Sequence, residues 1–354
     1  MSATARATAI ALGGDHACAL LAGGRVDCWG ANDHGQLGNG TSSGPQNCNG
    51  YPCATRPVAV SGLENATAIA AGGAHTCALV AGGHVECWGD DTYGQLGDPA
   101  SGGPHGCSAG DPCATTPVVV SGISAATAVV AGNDHSCALL AGGRVACWGY
   151  NFSTELGDGT SSGPQRCAGG LSCSRTPVSV VGISGATAIV AGGDHTCALL
   201  AGGGLDCWGY NSYGQLGDGT SAGPDTCEFG VVRCAKTPVA VTGVLTATAI
   251  AAGGDHTCAL PAGGRVDCWG ANYFGELGDA VGSGPQTCNG YPCSETAVGV
   301  EGIANATAIS AGGGHTCALL AGGRVDCWGE GSVGQLGDGA IGERGRAVAV
   351  SGIG

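Results

Sequence analysis

Six histidines stand at matching places along the chain, His16, His75, His135, His195, His256 and His315, and each is followed two residues later by a cysteine. A second cysteine lies ten residues beyond the first, which pairs Cys18 with Cys28, Cys77 with Cys87, Cys137 with Cys147, Cys197 with Cys207, Cys258 with Cys268 and Cys317 with Cys327. Thiols in such register are ligands for zinc, small apolar groups packed in a core or, in an oxidising compartment, halves of disulfides. Five further pairs complete the 22 cysteines: Cys48 with Cys53, Cys107 with Cys113, Cys167 with Cys173, Cys227 with Cys234 and Cys288 with Cys293. Their separations run from five to seven, which suits a bridge at the base of a loop better than the fixed ligand geometry of a metal. The expectation is eleven disulfides and no metal.

Asp15, Asp134, Asp194 and Asp255 directly precede four of the histidines, so a ring of imidazoles and carboxylates holding a metal in a channel is conceivable. Adjacent residues of a strand face opposite ways, however, and a buried histidine hydrogen-bonded to the next repeat is the expected arrangement. Asn32, Asp33, Asp91, Asn211 and Asp218 lie in Asn-x-x-Gly contexts that read as turn chemistry rather than a calcium site. Paired carboxylates, a serine beside a base, a phosphate-cradling loop and a zincin motif are found nowhere except as products of the repeat. Chemistry is done once per site and breaks internal symmetry, so we expect no catalytic residue, no cofactor and no enzyme.

The elements that position these residues follow from the periodicity. Trp29, Trp88, Trp148, Trp208, Trp269 and Trp328, the only tryptophans, are spaced by 59, 60, 60, 61 and 59 residues, each within Cys-Trp-Gly. The chain is thus six copies of one unit, approximately 1–62, 63–122, 123–182, 183–243, 244–302 and 303–354, read as a single domain. Each copy holds short segments of period-2 alternation separated by Ser-Gly, Gly-Gly and Ala-Gly-Gly turns, which predict four strands. Centring a hairpin on Gly82 sets Cys77 opposite Cys87 and Leu79 opposite Val85, and repeats of this kind predict propeller blades. Arg346–Gly352 reads as a spare strand that completes the blade of the first copy and so closes the ring. The expected fold is all-β: six four-stranded antiparallel blades in a ring latched by N- and C-terminal strands.

Composition agrees. Gly supplies 72 of 354 residues and charged residues only 11%, against about 25% in ordinary domains, which disfavours helices with solvated charged faces. A formal charge of −15 and a single lysine, Lys236, exclude the basic footprint of nucleic-acid binding. No run approaches the ~20 apolar residues of a membrane-spanning helix. Met1–Gly14 has no basic segment leading an apolar core, but the cysteine pattern predicts an oxidising location, extracellular, periplasmic or on the cell surface.

The string His-Thr-Cys-Ala-Leu (His256–Leu260), Gly-Arg-Val-Asp-Cys-Trp-Gly (Gly264–Gly270), Asn-x-x-Gly-Gln-Leu-Gly-Asp-Gly-Thr (Asn211–Thr220) and Thr-Pro-Val (Thr237–Val239) resembles the regulator of chromosome condensation repeat family over the whole chain. The resemblance implies a β-propeller whose circular faces bind other proteins. Family propellers usually carry seven blades where six copies are counted here, and five copies carry an insert of about a dozen residues before the Thr-Pro-Val strand. The matching residues are scaffold in that family, so exchange-factor activity does not transfer residue by residue.

Strand alternation puts the Gly-Gly-Asp-His turns and the cysteine-pinned inserts on one face, where loop length and variation concentrate. Tyr51, Asp111, Leu171, Phe229, Arg233 and Tyr291 in those inserts are the candidate contacts for a protein partner, since aromatic and arginine side chains dominate interfaces. We read the chain as an exported or surface-exposed binding scaffold, kept monomeric by its acidic surface. An intracellular regulator of a small GTPase is the alternative. A weaker one is a carbohydrate or cell-wall binder, with Tyr51 and Tyr291 stacking on sugars.

Overall fold

The computed structural model describes residues 6–100, 105–107, 110–227, 230, 232–282 and 284–353. Six antiparallel sheets follow one another, one per copy, as the blades of an all-β propeller. No α-helix occurs among the described residues, and none is long and apolar enough to cross a membrane. Two compact units divide the chain: Met1–Phe152 with Thr160–Val180, which carries copies one to three, and Ser153–Gly159 with Val181–Gly354, which carries copies four to six.

Copy one shows the plan. Strands Ala7–Leu12, His16–Leu21 and Val26–Ala31 form a meander, Tyr51–Ala59 pairs on its outer edge, and Gln46–Cys48 adds a short fifth strand. The hairpin register in copy two is the one read from the cysteine spacing, with Cys77 opposite Cys87 and Leu79 opposite Val85. In the hairpins, Cys18 and Cys28, Cys77 and Cys87, Cys137 and Cys147, Cys197 and Cys207, Cys258 and Cys268, and Cys317 and Cys327 all have Cα atoms 4.1 Å apart. In the inserts, Cys48 and Cys53, Cys107 and Cys113, Cys167 and Cys173, Cys227 and Cys234, and Cys288 and Cys293 have Cα atoms 5.7 to 6.0 Å apart. Each pair of sulfurs lies within bonding reach.

The expectation of a blade shared between the two chain ends is corrected. Arg344–Ala349 pairs with Val325–Gly329 of its own copy, and the first sheet is already completed by Tyr51–Ala59 on Val26–Ala31. The reason lies at the edge of the Cys-Trp-Gly strand, whose unpaired N–H and C=O groups take the next extended segment in the chain. Each copy therefore owns its Thr-Pro-Val strand, and none is left over. Five blades also exceed the expected four strands, because the insert folds back on the return strand: Gln46, Asn47 and Cys48 oppose Cys53, Pro52 and Tyr51. The sixth copy lacks the insert and has four strands.

The core lies between sheets. One cluster joins Cys18, Leu20, Val26, Cys28 and Leu37 of copy one to Ala66, Ala78, Val80 and Trp88 of copy two. Alternation explains the division of labour, since His16, Cys18 and Leu20 face forward and Thr76, Ala78 and Val80 face back. Polar groups buried between the sheets are joined by hydrogen bonds. His16 Nε2 lies 2.7 Å from Thr76 Oγ1, and that hydroxyl and Trp88 Nε1 both donate to the carbonyl of Gln36, at 3.2 and 2.9 Å. The joint recurs with His75, Ser136, Trp148 and Gln95, and in the second unit with His195, Thr257, Trp269 and Gln215. Only the first copy has alanine, Ala17, where the others place the hydroxyl.

Candidate functional site

The recurring histidines are scaffold. Because Thr76 gives its proton to the Gln36 carbonyl, the His16–Thr76 bond requires the proton on His16 Nε2. A ring protonated there cannot serve the hydroxyl as a base, so the geometry joins copies and activates no nucleophile. Burial holds His16 and His195 at about 4 and His75 and His256 at about 3, which keeps the rings neutral.

The cysteines are placed within the sheets rather than at an open site. Cys28, Cys87, Cys147, Cys207, Cys268 and Cys327 are buried on the Cys-Trp-Gly strands, and Cys53, Cys113, Cys173, Cys234 and Cys293 are buried on the return strands. No group of three or more His, Cys, Asp or Glu residues suited to a metal is present among the described residues.

The Asn-x-x-Gly segments are turns, as their composition implies. Asn32, Asp91, Asn211 and Asn272 each accept the N–H of the residue five positions on. Within the same turn, the Gln or Glu that follows the glycine, whose place Thr154 takes in the third copy, accepts the N–H of the residue two positions before it. Gln36, Gln95, Glu155, Gln215, Glu276 and Gln335 thus clamp His34, Tyr93, Ser153, Tyr213, Phe274 and Val333. The clamp is constant and the clamped side chain varies, so each copy presents a different group from one rigid position.

In the second unit these positions gather aromatic rings. Tyr213 and Tyr273 meet edge to face with centroids 5.2 Å apart, and Tyr291, from the fifth insert, meets both at 6.3 and 5.1 Å. Tyr210 abuts Tyr213 at 5.7 Å and Phe274 abuts Tyr273 at 6.2 Å. Carboxylates lie beside them: Asp255 receives Gln215 Nε2 at 3.3 Å, and Glu276 accepts the Phe274 N–H at 2.8 Å. Burial and the neighbouring charge of Asp194 push Asp255 up to about 6. Burial, with Asp255 and Glu343 nearby, pushes Glu276 up to about 7.

The first unit has a smaller counterpart. Tyr93 packs on Tyr150 at 4.7 Å, and Tyr150 on Phe152 at 5.9 Å. Asp90 accepts the hydroxyl of Thr92 at 2.6 Å and Gln95 Nε2 at 2.8 Å, with burial raising its pKa. Burial raises the Tyr93 phenol, and the charges of Asp134, Asp90 and Asp111 add to the shift.

Of the contacts expected from sequence, Tyr291 joins the tyrosine cluster and Asp111 lies within electrostatic reach of Tyr93 and Asp90. Tyr51 is 65% exposed, with no ring against it among the described residues. Leu171 is half-buried after the 3-10 turn Ala168–Gly170, and Arg233 is exposed, its carbonyl accepting the Asn211 N–H. Phe229 lies outside the described residues. Sequence reasoning passed over Tyr93, Tyr150, Tyr210, Tyr213, Tyr273 and Phe274 by treating their segments as turns alone. The available signal was variability, since the residue after Trp-Gly reads Ala31, Asp90, Tyr150, Tyr210, Ala271 and Glu330 within an otherwise constant repeat.

Sheets joined through a His-hydroxyl-carbonyl bond, with variable side chains displayed from clamped turns, define a repeat propeller that carries its individuality on one edge of each blade. The chain belongs to the RCC1-like domain family, whose model matches residues 2–350. It is 27% identical to the ultraviolet-B receptor UVR8 of Arabidopsis thaliana, over 93% of this chain and 78% of that protein. It is 28% identical to the secretion-regulating guanine nucleotide exchange factor of Bos taurus, over 92% and 67%. The fold is shared with yeast RCC1 (Prp20) bound to Kap60, at a TM-score of 0.75 and 22% identity, over 97% of this chain and 74% of that one. Human WBSCR16 gives 0.74 and 21%, over 99% and 83%.

Proposed function

We propose that this chain is a non-enzymatic binding scaffold that holds a protein partner on the face carrying the clamped turns and cysteine-pinned inserts. One observation carries the reading: within each compact unit the joints between copies repeat almost unchanged, while the tyrosines and phenylalanines, which vary from copy to copy, all fall at the clamped turns or in the inserts. A surface under no binding constraint has no reason to gather half-exposed tyrosines. Tyr51, Asp111, Leu171, Phe229, Arg233 and Tyr291 remain the proposed insert contacts. We further propose that the eleven cysteine pairs are oxidised and that the protein works in an oxidising compartment.

Affinity capture with the intact chain and with a variant whose five inserts are cut to the length of the sixth tests the face. Partner recovery should fall at least tenfold; unchanged recovery would remove the inserts from the interface. A second reading, an intracellular regulator of a small GTPase, is favoured by the similarity to the bovine exchange factor. It requires reduced thiols and accelerated nucleotide release from a GTPase.

A further inference from the structure

We propose that the tyrosine cluster of the second unit docks a cationic side chain, arginine or lysine, of a partner polypeptide. This deepens the function proposed above and rests on its assignment of the binding face. Three rings, Tyr213, Tyr273 and Tyr291, meet pairwise near right angles, at 79° to 83°, so that each points its positive edge at a neighbour's face. Tyr291 remains 51% exposed and Phe274 36%, which leaves aromatic surface for a ligand. A guanidinium or ammonium is attracted to such a face by the ring quadrupole.

The surroundings select a cation over an apolar group. Asp194, Asp255 and Glu276 lie together, Asp194 acting on Asp255 and Asp255 on Glu276, and no ion pair reaches any of the three among the described residues. Arg344, which the chain supplies nearby in sequence to Glu343, is held by Asp338 at 2.8 Å. An apolar partner would strip water from the half-buried Asp194 and Asp255 and return nothing, whereas a cation satisfies rings and carboxylates together. The net charge of −15 extends the same preference over the approach to the site.

The chain contains its own control. Asn49-Gly-Tyr-Pro-Cys53 and Asn289-Gly-Tyr-Pro-Cys293 are identical in sequence and form the same hairpin. Tyr291 closes a ring cluster, and Tyr51 stands without a neighbouring ring among the described residues. The same residue in the same loop should therefore bind a cation at one place only.

Blocked tetra-arginine, tetra-lysine and tetra-glutamine peptides, titrated into the full chain and followed by calorimetry and by 19F signals of 3-fluorotyrosine, test the assignment. Tetra-arginine should bind, with signals of Tyr213, Tyr273 and Tyr291 shifting and that of Tyr51 unmoved. Tyr291→Ala and Asp255→Asn should each weaken it about fivefold or more, while Tyr291→Phe retains most of the affinity and Tyr51→Ala all of it. Equal loss in Tyr51→Ala and Tyr291→Ala, equal binding of tetra-glutamine, or no binding at millimolar peptide would overturn the proposal. Tyr291→Phe keeps the test informative should Tyr291→Ala or Asp255→Asn lose its fold. A partner captured by the intact chain and lost on insert shortening, combined with no response to tetra-arginine, would reject the cation and leave the binding face standing.

Discussion

Thr76 shows how much one hydroxyl does in this molecule. It is fully buried, receives the His16 ring and donates to the Gln36 carbonyl that also takes the Trp88 indole. Thr76→Val keeps the shape and strands the imidazole, so unfolding free energy should fall by about 1 to 3 kcal/mol in urea titrations. The same rings make stability depend on pH. His16, His75, His195 and His256 titrate at about 3 to 4 in the fold against an ordinary 6.5, so only the unfolded chain takes up their protons as pH falls below 6.5. Stability conferred by the neutral rings is lost across that window. Asp255 and Glu276 oppose this, because at about 6 and 7 the fold keeps protons that an unfolded carboxyl has released. Four rings outweigh two carboxyls near pH 6, and the urea midpoint should drop from pH 7 to pH 6. Glu276→Gln removes one opposing group and should steepen that drop. That His16, His75, His195 and His256 bond the next sheet was legible from strand alternation alone, since a forward-facing imidazole must meet it. The ring cluster was not, because tyrosines from different copies meet only after the sheets have stacked.

The hairpin is the element the sequence describes best. Ten-residue cysteine spacing and an Ala-Gly-Gly turn leave one register, and Cys77 opposite Cys87 is the result. With both cysteines fully buried, the double change Cys77→Ser with Cys87→Ser should cost about 2 to 3 kcal/mol, and thermal unfolding of the oxidised protein would measure it. The insert pair Cys48 and Cys53 closes a shorter loop with Cys48 partly exposed, so its removal should lower the melting temperature less. Close approach between copies sets a second constraint. A methyl group on Gly73 would lie 2.8 Å from the Asn133 carbonyl oxygen, a backbone atom with nowhere to go. Gly73→Ala should therefore destabilise by about 1 to 3 kcal/mol, seen as a lower urea midpoint. The Thr-Pro-Val strand was harder to place. Its alternation marks a strand, but nothing in its composition says whether it completes the sheet before it or the one after it, and that choice belongs to an edge formed elsewhere.

For the whole molecule, six copies were written in the tryptophan spacing, and the propeller followed from four strands per repeat. What periodicity cannot convey is anything done once, and the individuality of this chain lies in non-repeating side chains on a repeating frame. The redox state of the cysteines is the molecular property to measure first. Intact mass after alkylation under denaturing, non-reducing conditions should show no adducts if all eleven pairs are bridged; free thiols would favour the intracellular reading.

Ala17 gives the array a polarity with a consequence for how it could have grown. Duplicating copy two or copy five inserts a unit with a histidine facing forward and a hydroxyl facing back, and the junctions within that compact unit are preserved. Duplicating the first copy places an alanine methyl behind an imidazole and leaves one junction without its bond. The repeats are alike in sequence yet not interchangeable in order.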